Sequence, residues 1–90
     1  MFVAVMSYAQ LDRAVRVAPA PVRALIERRQ GCNHWAGEDR YDKARARQIN
    51  AAARQLRCRQ IAADEQAVRH AYRSQSNLAH LLDKTAEWSY

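Results

Sequence analysis

Apolar residues recur at helical spacing along most of this chain, and the pattern predicts an all-α fold, a small bundle of four or five short helices. The clearest predicted helix runs from about 21 to 30. Its apolar face consists of Val22, Leu25 and Ile26. Its polar face consists of Arg23, Arg28 and Arg29. Pro21 suits the first helical position, and Gly31 suits the left-handed residue that comes after a last turn.

The chain before this helix is predicted to be an N-terminal segment, residues 1–19, and residues 20–90 a single helical domain. The segment starts with apolar residues but has no basic residue before them, and Asp12 and Arg13 interrupt its apolar character. It is therefore a poor signal peptide, although the small residues around Pro19 resemble a cleavage region. We predict either a degenerate signal remnant or a short helix from 3 to 16. The helical stripe would consist of Ala4, Tyr8, Leu11 and Val15.

The second half of the chain predicts three further helices. Asp42 is a candidate N-cap for a helix over 43–56 with Ile49 on its apolar face. The apolar phase then slips, which indicates a new or kinked helix, for which Asp64 is a candidate cap. Its stripe contains Ile61, Glu65 or Ala67, Val68 and Tyr72. After a break at 74–77, a last helix ends near Trp88, with an apolar face of Leu78, Leu81, Leu82 and Thr85.

Composition supports helices and indicates a small core. The chain has eighteen alanines and thirteen arginines against two lysines, and both alanine and arginine favour helices. About a dozen large apolar residues lie after Pro19, and a core of that size usually needs a staple or a partner. No apolar run approaches the roughly 18 residues of a membrane span, so no transmembrane segment is predicted.

The positive charge is concentrated in one stretch. Residues 40–59 carry seven Lys or Arg and one Asp, a balance of +6 that equals the whole formal net charge. Four of these residues form a basic stripe opposite Ile49: Lys43, Arg47, Arg54 and Arg57. The stripe is either a solvated face or a contact for phosphates. Because no nucleic-acid motif or exposed aromatic set accompanies it, an unknown protein or anionic envelope component is favoured as partner over nucleic acid.

A segment unlike the rest of the chain lies between the second and third predicted helices. We call its distinctive residues the motif loop: Asn33, His34, Trp35, Gly37, Glu38, Tyr41 and Asp42. We expect an ordered loop with Trp35 as a core plug and Gly37 at a positive φ or at a close backbone approach. Asn33, Glu38 and Asp42 would satisfy backbone N–H groups at helix ends. A binding surface formed by the same loop is the alternative.

The two cysteines, Cys32 and Cys58, permit either a disulfide or two free thiols. A helix over 43–57 is about 22 Å long and the ten preceding residues span at most about 33 Å, so geometry permits the bridge. The possible zinc ligands fit no standard spacing, so we expect no metal and no cofactor. They are Cys32, His34, Cys58, His70 and His80. No nucleophile elbow, phosphate loop or cofactor fingerprint is present, and no enzyme is predicted.

The run Cys32-Asn-His-Trp-Ala-Gly-Glu, succeeded by Tyr41-Asp42 and Cys58, resembles small exported proteins of proteobacteria with a Cys-(Asn/Asp)-His-(Phe/Trp)-x-Gly-Glu motif. The half from Cys58 to Tyr72 is similar in turn to the LprI-type lysozyme-inhibitor domain. The resemblance implies a periplasmic or secreted helical fold with a Cys32–Cys58 disulfide, and no established activity.

From the resemblance we predict a non-enzymatic LprI-like inhibitor or interaction module of the cell envelope. The alternative is a cytoplasmic basic module that binds nucleic acid. Inhibition of lysozyme itself is disfavoured, because a protein of charge +6 is repelled by basic lysozymes.

Overall fold

The computed structural model describes residues 7–90, and this part of the chain is an all-helical bundle with one disulfide. It contains five α-helices, which are α1 (Tyr8–Val17), α2 (Ala20–Ala36), α3 (Lys43–Gln55), α4 (Ile61–Ala71) and α5 (Ser76–Lys84). A 3₁₀ turn, Cys58–Gln60, leads into α4. The predicted fold class is confirmed. The last helix stops at Lys84, earlier than its predicted end near Trp88.

The first helix begins at a capping box. The Ser7 hydroxyl accepts a hydrogen bond from the Gln10 backbone N–H, and the Gln10 side chain accepts one from the Ser7 backbone N–H. Both bonds satisfy donors that a helix start leaves open, so α1 starts at Tyr8. The predicted continuous helix over 3–16 is therefore interrupted at Ser7, and its first residues, including Ala4, lie outside the described residues.

The second helix runs six residues past its predicted end at residue 30, and Gly31 does not end it. Gly31 lies inside α2, where a Cβ would stand 2.8 Å from Leu56 Cδ1 and 2.9 Å from the Tyr90 hydroxyl. This glycine therefore allows two side chains to approach the helix closely. The helix ends at Ala36 with Gly37 as its C-cap, and the φ of −87° excludes the positive φ predicted as one alternative for this glycine. A Cβ there would lie 3.6 Å from the His34 carbonyl oxygen, an ordinary contact, so the other alternative, a close backbone approach, is not seen either.

The core is formed mainly by α1, α2 and α5. Its buried cluster consists of Leu11, Ala18, Val22, Leu25, Ile26, Leu78, Leu81 and Leu82. The predicted apolar face of α2 is thus confirmed, and α1 shares the core of the later helices. From α4, Ile61, Val68 and Tyr72 pack against this cluster. Ile49 of α3 is only 1 % exposed but lies outside it, because α3 packs on α2 and on the 3₁₀ turn.

Two arginines predicted to lie on the solvated face of α2 are instead engaged with other elements. Arg29 is 7 % exposed and pairs with Glu65 at 2.7 Å. Arg28 donates to the Leu56 and Arg57 carbonyls and pairs with Asp64 at 2.9 Å. Asp64 is therefore an ion-pair partner, and its predicted role as helix cap is wrong because the N-cap of α4 is Gln60.

A buried network joins α2, α4 and α5. Arg29 also donates to the Leu82 carbonyl and to the Thr85 hydroxyl. Glu65 accepts from Arg69 at 3.1 Å as well as from Arg29. Burial raises the pKa of Glu65, but the hydrogen bonds and charges of the two arginines outweigh it, so that this pKa lies below its ordinary value.

Arg69 completes the network on α4. It pairs with Asp83 of α5 at 2.7 Å. Burial lowers the pKa of Arg69, yet its bonds to Asp83 and Glu65 raise it overall, so the guanidinium stays charged. Among residues 7–90, none of the helices has the length and apolar content needed to cross a membrane.

Candidate anion-binding surface

The basic stripe lies along the outer face of α3. Its helix starts at Asp42, whose carboxylate accepts the Arg45 backbone N–H at 2.7 Å, so the predicted N-cap is confirmed. Successive residues of an α-helix are rotated by about 100°, which puts positions 43, 47 and 54 within a narrow arc opposite Ile49. All four stripe side chains are exposed: Lys43, Arg47, Arg54 and Arg57.

The stripe cations have no intramolecular counter-charge. All nine carboxylate side chains of the sequence lie within residues 7–90, and none is within 4.0 Å of a stripe cation. Two other arginines of the same stretch are engaged instead. Arg40 donates to the Asn50 side-chain oxygen at 2.7 Å, and Arg45 pairs with Glu38 at 3.0 Å. The charge of the stripe is therefore available to a partner.

The turn after α3 is fixed from two sides. Arg57 adopts a left-handed conformation, with φ 53° and ψ 50°. The Arg28 side chain holds the carbonyls of Leu56 and Arg57 at 2.7 and 3.0 Å. The Cys32–Cys58 disulfide, with 5.6 Å between the Cα atoms, ties the next residue to α2. The predicted disulfide is confirmed, and it anchors the end of the basic stripe.

An open cleft of about 550 Å³ lies between the end of α3 and this turn. Its polar lining consists of Asn50, Arg54, Arg57, Arg59 and Gln60, beside Ala53 and Cys58. Three of the lining residues are arginines and none is acidic. Arg59 is not among the predicted site residues, because the break in the helix between Leu56 and Ile61 hides its proximity to Arg54 from a periodicity argument. Asn50 lies on the same helix face as the stripe but is not among the predicted site residues either.

The first residues of the motif loop are helical, which corrects the prediction of a loop from Asn33. Asn33, His34 and Trp35 occupy the last turn of α2. The Asn33 side-chain amide donates to the Ala86 and Trp88 carbonyls at 3.0 and 2.9 Å, which differs from its predicted bonding to backbone N–H groups. His34 Nδ1 lies 2.7 Å from the Tyr90 main-chain oxygen. These two side chains fasten the segment 86–90 to α2.

Trp35 is not the predicted core plug, because it is only partly buried and lies outside the core cluster. Its ring meets the His34 ring edge-on at 5.1 Å, and the Arg45 guanidinium lies 5.3 Å from its centroid. Glu38, predicted to bond backbone N–H groups, pairs with Arg45 and lies 3.4 Å from His34. Tyr41 is 76 % exposed at the start of the stripe.

The geometry offers no metal centre in the described part of the chain. Both cysteines are consumed by the disulfide, and residues 7–90 bring no three His, Cys, Asp or Glu side chains together as a ligand set. What the site can do chemically is bind anions, since guanidinium groups form charge-assisted hydrogen bonds with phosphate and carboxylate oxygens.

No family model, curated protein or solved structure matches this chain.

Proposed function

We propose that the protein is a non-enzymatic helical binding module that attaches to an anionic component of the cell envelope through its basic stripe. The observation that carries the proposal is the row of four exposed cations without an intramolecular counter-charge. Elsewhere in the bundle, arginines of α2 and α4 are used to pair with Asp64, Glu65 and Asp83.

The disulfide supports a periplasmic or secreted location. Disulfides form and persist in oxidising compartments and are rare in the cytosol. Cys32 and Cys58 are both engaged in the bond, which joins α2 to the turn beside the stripe. The bond therefore supports an LprI-like exported protein better than the cytoplasmic alternative.

The shape of the stripe favours an extended array of negative charges over a single small ligand. Positions 43 and 54 of α3 are eleven residues apart, a helical length of about 17 Å, and Arg57 follows in the turn. The exposed helix face between them carries no large apolar side chain, whereas peripheral helices that insert into lipid bear Trp, Phe or Leu. We infer that the stripe adsorbs onto a phosphate-bearing surface by electrostatic attraction, without insertion.

The experiment measures sedimentation of the oxidised protein with vesicles of phosphatidylglycerol mixed with phosphatidylcholine. Lys43→Gln combined with Arg47→Gln removes two stripe charges. Because each basic residue near an anionic membrane contributes about 1 kcal/mol, we expect binding to fall roughly 10- to 30-fold. Pure phosphatidylcholine vesicles should retain little of the protein.

The matched control is Arg13→Gln combined with Arg16→Gln, which removes the same net charge from the exposed surface of α1. At physiological salt, charges more than about 8 Å from the bound surface are largely screened. We therefore expect this control to bind the vesicles within about twofold of the wild type. Equal losses in the two variants would mean that net charge alone drives adsorption and would contradict the proposal. Submicromolar binding to duplex DNA that survives about 0.15 M salt would favour the nucleic-acid alternative instead.

A further inference from the structure

We infer that the cleft between the end of α3 and the 3₁₀ turn is a binding site for a terminal phosphate group, that is, a phosphomonoester. The inference deepens the proposed function and rests on it, because Arg54 and Arg57 belong to both the stripe and the cleft. The stripe supplies general attraction to an anionic surface. The cleft would recognise one particular chemical group on that surface.

The donors in the cleft are well matched to phosphate oxygens. Arg54, Arg57 and Arg59 line it, and an arginine presents a planar fork of N–H groups that binds phosphate with two parallel hydrogen bonds. The Asn50 side-chain oxygen is already occupied by Arg40 at 2.7 Å, which leaves the amide N–H groups of Asn50 to donate. The lining contains no carboxylate that would compete with a ligand.

The number of cations indicates a doubly charged ligand. A carboxylate or a phosphodiester brings one negative charge, which would leave an excess of positive charge at a cleft lined by three arginines. A terminal phosphate carries about −1.5 to −2 at neutral pH and exposes three strong acceptor oxygens. The cleft volume of about 550 Å³ leaves room for the group that bears the phosphate, since small-molecule sites span about 300 to 1,000 Å³.

The conformation of Arg57 is the second observation. It occupies the position after a helix end where glycine is the favoured residue, because a left-handed φ crowds any Cβ. A cation is therefore placed where a neutral glycine would be more stable. Strained backbone of this kind is typical of binding sites that the surrounding structure holds in place. Here the Arg28 hydrogen bonds and the disulfide provide that support.

The test titrates glycerol 3-phosphate into the oxidised full chain and monitors amide NMR shifts of α3 and the turn. We expect one saturable site whose affinity increases between pH 5 and pH 7. The second proton of a phosphomonoester leaves near pH 6, while arginine stays charged throughout. Dimethyl phosphate, a diester of constant single charge, should bind more weakly and show no such increase.

Two variants separate binding from folding. Arg57→Gly should raise the melting temperature, because glycine relieves the left-handed conformation, and yet weaken glycerol 3-phosphate binding about tenfold or more. Arg59→Gln should weaken binding similarly without changing stability. The α1 variant Arg13→Gln, far from the cleft in sequence and outside both proposed sites, should keep its affinity for glycerol 3-phosphate.

The outcomes distinguish this inference from the proposed function. Absence of saturation up to roughly 10 mM glycerol 3-phosphate would mean a binding free energy weaker than about 3 kcal/mol. That result would overturn the cleft assignment. So would equal affinity for the diester, or unchanged binding in both Arg57→Gly and Arg59→Gln. If stripe-dependent vesicle binding survives in those cases, the proposed function stands. Absence of both glycerol 3-phosphate binding and stripe-dependent vesicle binding would overturn the cleft assignment and the proposed function together.

A final arm identifies the source of the phosphate. Vesicles of phosphatidic acid carry a phosphomonoester headgroup, whereas phosphatidylglycerol is a diester. Tighter binding to phosphatidic acid at equal surface charge, removed by Arg59→Gln, would support the cleft and assign it to a surface-borne group. Saturable binding of glycerol 3-phosphate without any preference between the vesicles would support the cleft as a site for a soluble phosphomonoester.

Discussion

The most informative residue is Arg29, a buried cation that the sequence analysis places on the polar face of α2. It lies seven residues after Val22 and three after Ile26, so it continues the apolar stripe of α2. Glu65 occupies the matching place on the stripe of α4. Both residues occupy apolar-stripe positions of their helices, and in the structure they form an ion pair at 2.7 Å. Sorting Arg29 by its polarity alone places it on the polar face and misses its pairing with Glu65.

Glu65→Gln should make the fold less sensitive to acid. The pKa of Glu65 is lowered in the folded state, so its contribution to stability is present above about pH 4.5 and is lost as the pH falls through the folded value. At pH 7, where Arg29 is left without its counter-charge, we expect the free energy of unfolding of the variant to be about 3 kcal/mol lower than that of the wild type. Near pH 2 the difference from the wild type should be much smaller.

Chemical denaturation at several pH values measures this effect. The matched control is Glu87→Gln, because Glu87 is exposed and forms no ion pair with residues 7–90. A loss of stability in Glu65→Gln that is the same at pH 2 and at pH 7 would contradict the assignment.

At the scale of elements, the sequence is sufficient to predict the start of α3 but not the end of α2. Asp42 correctly marks the start of α3, because an N-cap acts through its own side chain and the next turn. The chain offers two glycines as ends for α2, and local preference points to the first. Gly31 is instead required by contacts with Leu56 and Tyr90, which are distant in sequence. Such contacts cannot be read from a local pattern.

The last turn of α2 holds the segment 86–90 in place through the Asn33 side chain, and this role can be measured. Asn33→Ala should release the Ala86 and Trp88 carbonyls and loosen the segment 86–90. The variant loses two hydrogen bonds and gains the better helix propensity of alanine, so we expect its free energy of unfolding to fall by about 1 kcal/mol. Limited proteolysis of that segment should become faster. Gln30→Ala on the same helix is the control, and equal proteolysis rates in the two variants would argue against the fastening role.

At the scale of the whole molecule, charge is segregated. The stretch 40–59 carries the entire net charge, and the remainder of the chain balances eight basic residues against eight acidic ones. The described bundle is elongated, with extents of 52 × 26 × 20 Å. The sequence is sufficient to predict the exposed stripe, because that needs only helical periodicity. It is not sufficient to predict the cleft, which depends on the backbone direction after Leu56.

The attachment of α3 to the bundle should depend strongly on the disulfide. Cys32 and Cys58 are 26 residues apart, and removal of a native disulfide from a small domain typically costs about 2 to 5 kcal/mol. Cys32→Ser combined with Cys58→Ser should lower the free energy of unfolding by that amount, as measured by urea denaturation.

Reduction of the wild-type protein is the matched control and should give the same loss of stability. Alkylation of unreduced, denatured protein should label neither cysteine. Complete labelling of both cysteines in protein recovered from its native compartment would contradict the bond.

The packing of α1 against α5 determines when the core can form during synthesis. Leu11 shares its buried cluster with Leu78, which lies 67 positions later. A ribosome delivers the chain from the N-terminus onward, and domains complete their folding only when the contacting segments are present. The nascent chain therefore lacks a closed core until α5 has emerged. Until then, Leu11 and the α2 residues of the cluster lack the α5 side chains that cover them in the finished bundle.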